Sequence, residues 1–174
     1  MTATIRLLTP ADAEAFIAIR REALTDAPLA FVESPEDDAA LSLEFVREAL
    51  ERGPESVVFG AFAPALVGML GVLRERSPKA AHKAHVWGVY VAPSERGHGI
   101  GRQLVTTALD HVRGLAGVSQ VHLSVAETAL AAKRLYERME FETWGTEPSA
   151  IVFEGKAVAE THMIKTLTSP TKRE

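Results

Sequence analysis

The segment at residues 85–112 constrains the fold more than any other part of the chain, because a strand pattern runs through a glycine-rich turn into a helix pattern. Residues 85–91 are dense in β-branched and aromatic side chains, and Pro93 interrupts them. Apolar residues return at helical spacing at Ile100, Leu104, Val105, Ala108, Leu109 and Val112. This stripe predicts a helix with one face buried against a sheet.

The turn between this strand and this helix is predicted to bind an anion. It reads Arg96-Gly97-His98-Gly99-Ile100-Gly101. Glycine has no Cβ, so the backbone can approach a ligand closely, and the first amides of a helix have no partner within the helix. The helix dipole adds partial positive charge at the same place. A tight strand-to-helix turn without a ligand is the alternative interpretation.

Two familiar phosphate-binding patterns do not fit this turn. The dinucleotide pattern requires a third glycine at the position of Arg102, and the nucleotide triphosphate pattern requires Gly-Lys followed by Ser or Thr, which is absent. The order of strand, Arg96, Gly99, Gly101 and helix instead resembles the acetyl-CoA signature of the GNAT family of N-acetyltransferases. The order and spacing of the predicted elements extend this resemblance over residues 4–167.

The resemblance implies acetyl-CoA as a co-substrate. In this family the backbone amides of the strand, here Val89, Tyr90 and Val91, hold the pantetheine arm and the thioester oxygen. The resemblance also implies a set of residues at the turn that bind the remainder of the cofactor, namely Arg96, Gly97, His98, Gly99, Ile100, Gly101 and Arg102. Lys133 is a further candidate for a phosphate contact, and the sequence leaves open whether a longer acyl-CoA is the donor.

The remaining patterns predict a single α/β domain over residues 1–167 and a flexible polar tail at residues 168–174. Strand patterns occupy residues 4–8, 56–62, 66–74, 85–92, 120–126, 141–146 and 160–167, and helix patterns occupy residues 9–24, 43–50, 100–112 and 129–139. The strands before and after the central helix are predicted to be parallel, because a helix crosses between them. The resemblance implies a GNAT-like fold, with a mixed, mainly antiparallel central sheet, a splayed parallel strand pair and helices on both faces.

Composition narrows the classes of partner. The net charge of −4 and the absence of long basic runs argue against nucleic-acid binding. No apolar run of about 18 residues suggests a membrane span, so the expected location is the cytoplasm. The chain has no cysteine, which removes any thiol nucleophile from the mechanism.

Tyr136 is the candidate general acid. A phenol has a usual pKa near 10, close enough to the value of about 8.5 for a thiol to donate a proton as the thiolate leaves. The resemblance aligns Tyr136 with the tyrosine of the family, and the helix pattern puts it at the edge of a buried stripe formed by Ala132, Leu135 and Met139. The alternative is an amphipathic tyrosine at a helix boundary.

His85 is the candidate general base. The resemblance aligns it with a glutamate that, in lysine-acetylating members, deprotonates the amine through water. An unperturbed histidine has a pKa of about 6.5, so a neutral imidazole can accept a proton at pH 7. A surface or hydrogen-bonding histidine is the alternative, and His82 and Glu75 are rival bases. No metal site is predicted, because a His82 and His85 pair has no clustered third ligand.

Two positions depart from the family pattern. Glu140 stands where a glycine usually precedes Phe141, which predicts either a strained left-handed helix cap or another kind of termination. Ala129 stands near the position of an asparagine that contacts the pantetheine arm. The second departure leaves cofactor binding more to backbone groups.

The resemblance implies an enzyme that transfers an acetyl group from acetyl-CoA to the primary amine of a small molecule or peptide, by direct transfer in a ternary complex. The acidic loop with Glu33, Glu36, Asp37 and Asp38 could attract a cationic amine or could be merely solvated. One alternative is a catalytically silent acyl-CoA-binding or regulatory module. Another is a structural role, with the closing strands forming the edge of a homodimer.

Overall fold

The structure is a computed structural model that describes residues 3–167. It contains seven strands and four α-helices, joined by turns and short 3₁₀ segments. In chain order these elements are β1 (Thr4–Leu7), α1 (Ala13–Asp26), α2 (Leu43–Leu50), β2 (Ser56–Phe62), β3 (Leu66–Arg74), β4 (Lys83–Val91), α3 (Ile100–Arg113), β5 (Gln120–Ala126), α4 (Leu130–Arg138), β6 (Glu142–Phe153) and β7 (Lys156–Thr166). The predicted tail at residues 168–174 lies outside the described residues.

All seven strands form one sheet in the order β1-β2-β3-β4-β5-β7-β6. Every neighbouring pair is antiparallel except β4 and β5, which are parallel and are connected through α3. A parallel pair needs a crossover of this kind, whereas antiparallel strands can be joined by a short turn. The predicted fold class, a mainly antiparallel mixed sheet with one parallel pair, is confirmed.

The parallel pair is short and then opens. β4 and β5 are in register only at residues 83–85 of β4 and 120–122 of β5. Beyond His85, β4 continues to Val91 beside β3 alone, with a register shift between Met69 and Gly71. Gly88 has φ +62 in this irregular part of β4, a conformation that suits glycine. The two strands therefore enclose a gap in the middle of the sheet.

Helices cover both faces of the sheet, as predicted. On one face, α3 buries the whole predicted apolar stripe in a core shared with β2 to β5. On the other face, α1 and α2 pack around a second core that contains Phe16, Leu24, Val46, Met69 and Tyr90. The gap between β4 and β5 therefore lies between a layer that contains α3 and a layer that contains α1 and α2.

Several helices and strands begin or end at other residues than the sequence predicted. Helix α1 begins at Ala13, after a 3₁₀ turn in which Asp12 accepts hydrogen bonds from the amide and hydroxyl of Thr9. Strands β6 and β7 are much longer than predicted and form a hairpin. Pro148 and the polar residues around it obscure the strand pattern, and a register shift between Glu147 and Ile151 absorbs the irregularity.

No helix within residues 3–167 is long and apolar enough to cross a membrane.

Helix α4 keeps the left-handed termination that a glycine would favour. Glu140 has φ +63, so the chain accepts the backbone conformation that the sequence predicted to be strained. Its carboxylate lies 2.8 Å from Nζ of Lys165 on β7, whose side chain is 10% exposed. This ion pair compensates a nearly buried ammonium and joins the end of α4 to the sheet.

Candidate active site

The glycine turn forms an exposed corner at the N-terminus of α3. Gly97 and Gly99 have φ +82 and +79, and a Cβ atom on either would meet no atom within 4 Å. The first amide that bonds back to the turn is that of Gln103, which donates to the carbonyl of Gly99. Within the described chain, the amides of Ile100, Gly101 and Arg102 therefore have no backbone acceptor. The corner presents free amides and open space, which suits an anionic group.

Gly101 has a different role from the two glycines before it. A Cβ atom at Gly101 would lie 3.3 Å from Cδ2 of Leu135 on α4, tighter than ordinary van der Waals contact. The absence of a side chain thus lets α3 and α4 approach each other beside the turn. Arg102, one residue further along, is exposed on the first turn of α3.

The side chain of Arg96, predicted to bind the cofactor, has partners within the protein. Its guanidinium bonds to the carboxylate of Asp26 and to the carbonyl of Val91, and it lies 5.5 Å from the centroid of the Tyr90 ring. The Tyr90 hydroxyl lies 3.1 Å from a carboxylate oxygen of both Glu22 and Asp26. The Arg96 guanidinium lowers the pKa of Asp26, so this carboxylate stays charged. Here Arg96 and Tyr90 anchor the end of β4 to α1.

A cavity of about 880 Å³ lies on the α1 and α2 side of the sheet and reaches the gap between β4 and β5. Its lining includes His85 and Gly88 from β4, His122 and Ser124 from β5, and His162 from β7. These residues belong to three different segments that the sheet brings onto one face. The cavity therefore meets the gap from the side opposite to α3.

His85, the predicted base, lies on the floor of this cavity with its side chain 40% exposed. Its Nε2 atom is 2.9 Å from Oε1 of Glu75, yet this atom is buried and has no hydrogen-bond partner of acceptable geometry. We regard the contact as an electrostatic one, because the short distance alone does not make a hydrogen bond. Glu75, named as a rival base, thus lies next to His85.

Two further histidines on the same face were not predicted as site residues. The ring of His122 lies 5.4 Å from that of His85, and burial, followed by the charge of His85, lowers the pKa of His122. His162 has Nδ1 at 2.7 Å from Oγ of Ser124 and Nε2 at 3.2 Å from Glu147. The alternation of polar and apolar residues in β5 hinted at His122 and Ser124, but the pairing of β5 with β7 was needed to find His162.

Tyr136, the predicted acid, is buried rather than placed at an edge. It is 4% exposed, and its ring packs at 5.9 Å against Phe141 in an edge-to-face arrangement. Leu135, predicted to face the core, is only partly buried, so this part of the prediction is wrong by about one position on the helix. Burial raises the pKa of Tyr136, and the phenol therefore stays protonated.

The acidic loop before α2 closes one wall of the cavity. Asp38 lies 2.6 Å from Nε of Arg20, and both side chains are almost completely buried. Glu33 also contacts Arg20, at 3.2 Å, from a half-exposed position. The loop is thus tied to α1 by an arginine, and Asp37 accepts a hydrogen bond from the amide of Ser34, so three of its four predicted carboxylates have a structural partner. Within residues 3–167, no group of three or more histidine, cysteine, aspartate or glutamate residues is arranged to hold a metal ion.

Comparison with known proteins identifies the family. The chain matches the profile of the Acetyltransferase (GNAT) family over residues 16–141 and belongs to that family. A mycothiol acetyltransferase from Thermobispora bispora is 31% identical over 138 residues, which are 76% of this chain and 44% of the relative. The chain thus spans less than half the length of that relative.

Solved structures agree with this assignment. A ribosomal-protein-alanine N-acetyltransferase from Brucella melitensis has a TM-score of 0.81 at 26% identity, covering 94% of this chain and 99% of the other. A phosphinothricin acetyltransferase of the GNAT superfamily from Sinorhizobium meliloti, solved in complex with acetyl-CoA, has a TM-score of 0.82 at 22% identity. That comparison covers 100% of this chain and 93% of the other. The fold implied by the glycine turn is therefore the observed one.

Proposed function

We propose that this protein is an N-acetyltransferase that transfers an acetyl group from acetyl-CoA to a primary amine in a ternary complex. One observation carries the proposal. The gap between β4 and β5 has the glycine corner at one end and an acidic, aromatic cavity on its other side. Two ligands can therefore meet at the gap from opposite directions, which direct transfer requires.

The residues at the corner fit acetyl-CoA. The open space at Gly97 and Gly99 and the free amides of Ile100, Gly101 and Arg102 suit the phosphates of the cofactor. Beyond His85, no strand within residues 3–167 pairs with the edge of β4 that faces β5, so backbone groups of Val89, Tyr90 and Val91 are available for the pantetheine arm. Bound acetyl-CoA supplies an activated acyl group, and the protein supplies position and proton transfer.

Two side chains carry the proton transfers in this proposal. His85 accepts a proton from the acceptor amine, directly or through water, and the neighbouring Glu75 stabilises the imidazolium that forms. Tyr136 is protonated and lies in the apolar layer beside β5, where it donates a proton to the leaving thiolate. The base and the acid lie on opposite faces of the sheet, and the gap between β4 and β5 connects these two faces.

The direct test is release of CoA from acetyl-CoA in the presence of amines. Polyamines, aminoglycosides, amino acids and peptides with free N-termini form a suitable panel. Since the chain has no cysteine, a thiol reagent detects free CoA without a background from the protein. Turnover on any amine supports the proposal. Binding of acetyl-CoA with no turnover on any amine of the panel would favour a silent binding module instead.

The role of His85 predicts a dependence on pH. A general base accepts the proton only in its deprotonated form, so kcat/KM should rise with increasing pH. We expect His85→Ala to remove this rise and to leave acetyl-CoA affinity unchanged. His122→Gln is the matched control, because the His122 ring lies 5.4 Å from that of His85 on the same face and has no part in the proposed proton transfers. The two profiles of kcat/KM against pH are measured with one amine over pH 5 to 9. If the parent and His85→Ala superimpose, His85 is not the base.

A further inference from the structure

The cavity beside the gap collects apolar side chains that the fold leaves exposed. Both tryptophans of the chain line it, with Trp87 36% exposed and Trp144 62% exposed. Phe45, Leu73 and Val32 are also exposed hydrophobic residues in its lining. Large apolar side chains at the surface that cluster around one concave site indicate a ligand with an apolar body.

Trp144 presents a flat surface in this cavity. One of its faces is stacked on the ring of His162, with the centroids 5.4 Å apart and the planes 25° from parallel. His162 is held in turn by Ser124 and Glu147, so the indole rests on a ring of fixed orientation. Since His162 covers one face only, the exposed area of Trp144 includes its other face. A planar group can stack there.

The charges in the lining favour a cation. The two cations are Arg20, whose charge is compensated by Asp38 and Glu33, and Arg52, which lies over the ring of Phe45. Glu160 also lines the cavity and has no lysine or arginine partner within the described chain. Glu160 is partly buried, and this burial raises the pKa of its carboxyl.

Glu160 and His162 lie on the same face of β7, two residues apart. Their Cα atoms are therefore about 7 Å apart. Glu160 pairs with Ala126 and His162 pairs with Ser124 on β5, the strand that borders the gap. Glu160 thus lies near the stack of Trp144 on His162, and both Trp144 and Glu160 line the cavity, so one small ligand can contact both.

We propose that the acceptor is an arylalkylamine, a primary amine joined to a flat aromatic body by a short alkyl chain. Its ring stacks on Trp144, and its ammonium is drawn to the rim of the gap by Glu160. This assignment of the acceptor class rests on the proposed acetyltransferase function. Amines with a carboxylate next to the amino group are disfavoured by Glu160, and polyamines leave the aromatic surfaces uncovered.

Binding can be measured without turnover through the intrinsic fluorescence of Trp87 and Trp144. We expect 2-phenylethylamine to change the emission and to bind at least about tenfold more tightly than hexylamine, phenylalanine or spermidine. Hexylamine lacks the aromatic ring and so tests the contribution of stacking. Phenylalanine adds a carboxylate next to the amine, and spermidine carries positive charge without a ring. A peptide with an aromatic first residue distinguishes a small amine from a protein N-terminus.

Substitutions at Trp144 separate stacking from general damage. We expect Trp144→Ala to raise KM for 2-phenylethylamine about tenfold with little change in kcat, and Trp144→Phe to restore most of the affinity. Phe153→Ala is the matched control, because Phe153 is exposed on the same strand and does not line the cavity. It should leave KM unchanged. A KM for Trp144→Ala equal to that of the parent would overturn the assignment.

Substitution of Glu160 tests the recognition of the ammonium. Glu160→Gln should raise KM for 2-phenylethylamine about tenfold, since a hydrogen bond to a charged group is lost. Glu142→Gln, on exposed β6 outside the cavity, should have no effect.

The outcomes distinguish this assignment from the proposed function. Tight binding of 2-phenylethylamine without release of CoA would refute the transferase function and retain the ligand class. Release of CoA with spermidine or a peptide, but not with 2-phenylethylamine, would retain the function and overturn the arylalkylamine assignment.

Discussion

Gly99→Val is expected to abolish binding of acetyl-CoA. The variant would place a β-branched side chain in the open space that the phosphates need, at a backbone position with φ +79. For the parent, a ligand at one hundred times its Kd adds about 2.7 kcal/mol to the stability of the native state. For a chain of this size, that corresponds to a rise in Tm of several degrees. Thermal unfolding of Gly99→Val should show no such rise at the same concentration of acetyl-CoA.

The control for this variant must carry the same backbone strain. Gly155 has φ +75 and also has no atom within 4 Å of its Cβ position, but it lies in the turn between β6 and β7. Gly155→Val should lose a similar amount of stability, about 1–2 kcal/mol, and keep the full rise in Tm with acetyl-CoA. Gly101→Glu should also lose binding, although its effect includes the tight contact with Leu135. Equal acetyl-CoA affinity in Gly99→Val and the parent would refute the phosphate corner.

Tyr136→Phe is expected to lower kcat by about 10² or more while acetyl-CoA affinity stays the same. The phenol is buried, and burial raises its pKa, so the hydroxyl is protonated and can serve as a proton donor. Because phenylalanine fills the same space, the Tm of this variant should not fall. The raised pKa also predicts that, below about pH 10, kcat of the parent shows no decrease from ionisation of Tyr136.

The second tyrosine of the chain provides the control. Tyr90→Phe removes a hydroxyl that lies between Glu22 and Asp26, far along β4 from His85. It should lower Tm, whereas Tyr136→Phe should not, so a loss of kcat in Tyr136→Phe cannot be attributed to lost stability. A pre-steady-state measurement must first show that acyl transfer limits kcat. With that established, an unchanged kcat in Tyr136→Phe would remove this residue from the mechanism and leave water as the proton donor.

Local patterns in the sequence predicted the centre of the fold well. The bounds of β2, β3 and β5 are those of the sequence patterns, because each is a short apolar run ended by turn residues. The apolar stripe of α3 is fully buried, since its spacing alone defines one face of a helix. The parallel pairing of β4 with β5 followed from the single crossover helix.

The sequence could not predict features that depend on pairing between distant strands. The length of β6 was hidden by Pro148 and by a bulge that only the facing residues of β7 define. His162 joins Ser124 because β7 inserts between β5 and β6, an order that the chain does not follow. The burial of Tyr136 depends on the rotation of α4 against the core, which a helix of nine residues determines weakly from its own pattern.

The gap beyond His85 divides the sheet into two smaller sheets. One consists of β1 to β4 and the other of β5, β7 and β6, and they are joined by only three facing residue pairs. Backbone hydrogen bonds therefore set the angle between the two halves only at their closed end. At the open end, the separation depends on the packing of the helices beside the gap, including α3 and α4, where Leu135 leaves little room for a Cβ atom at Gly101. The width of the channel through the sheet thus depends on core packing. Adding or removing one methylene in that layer should therefore change this width.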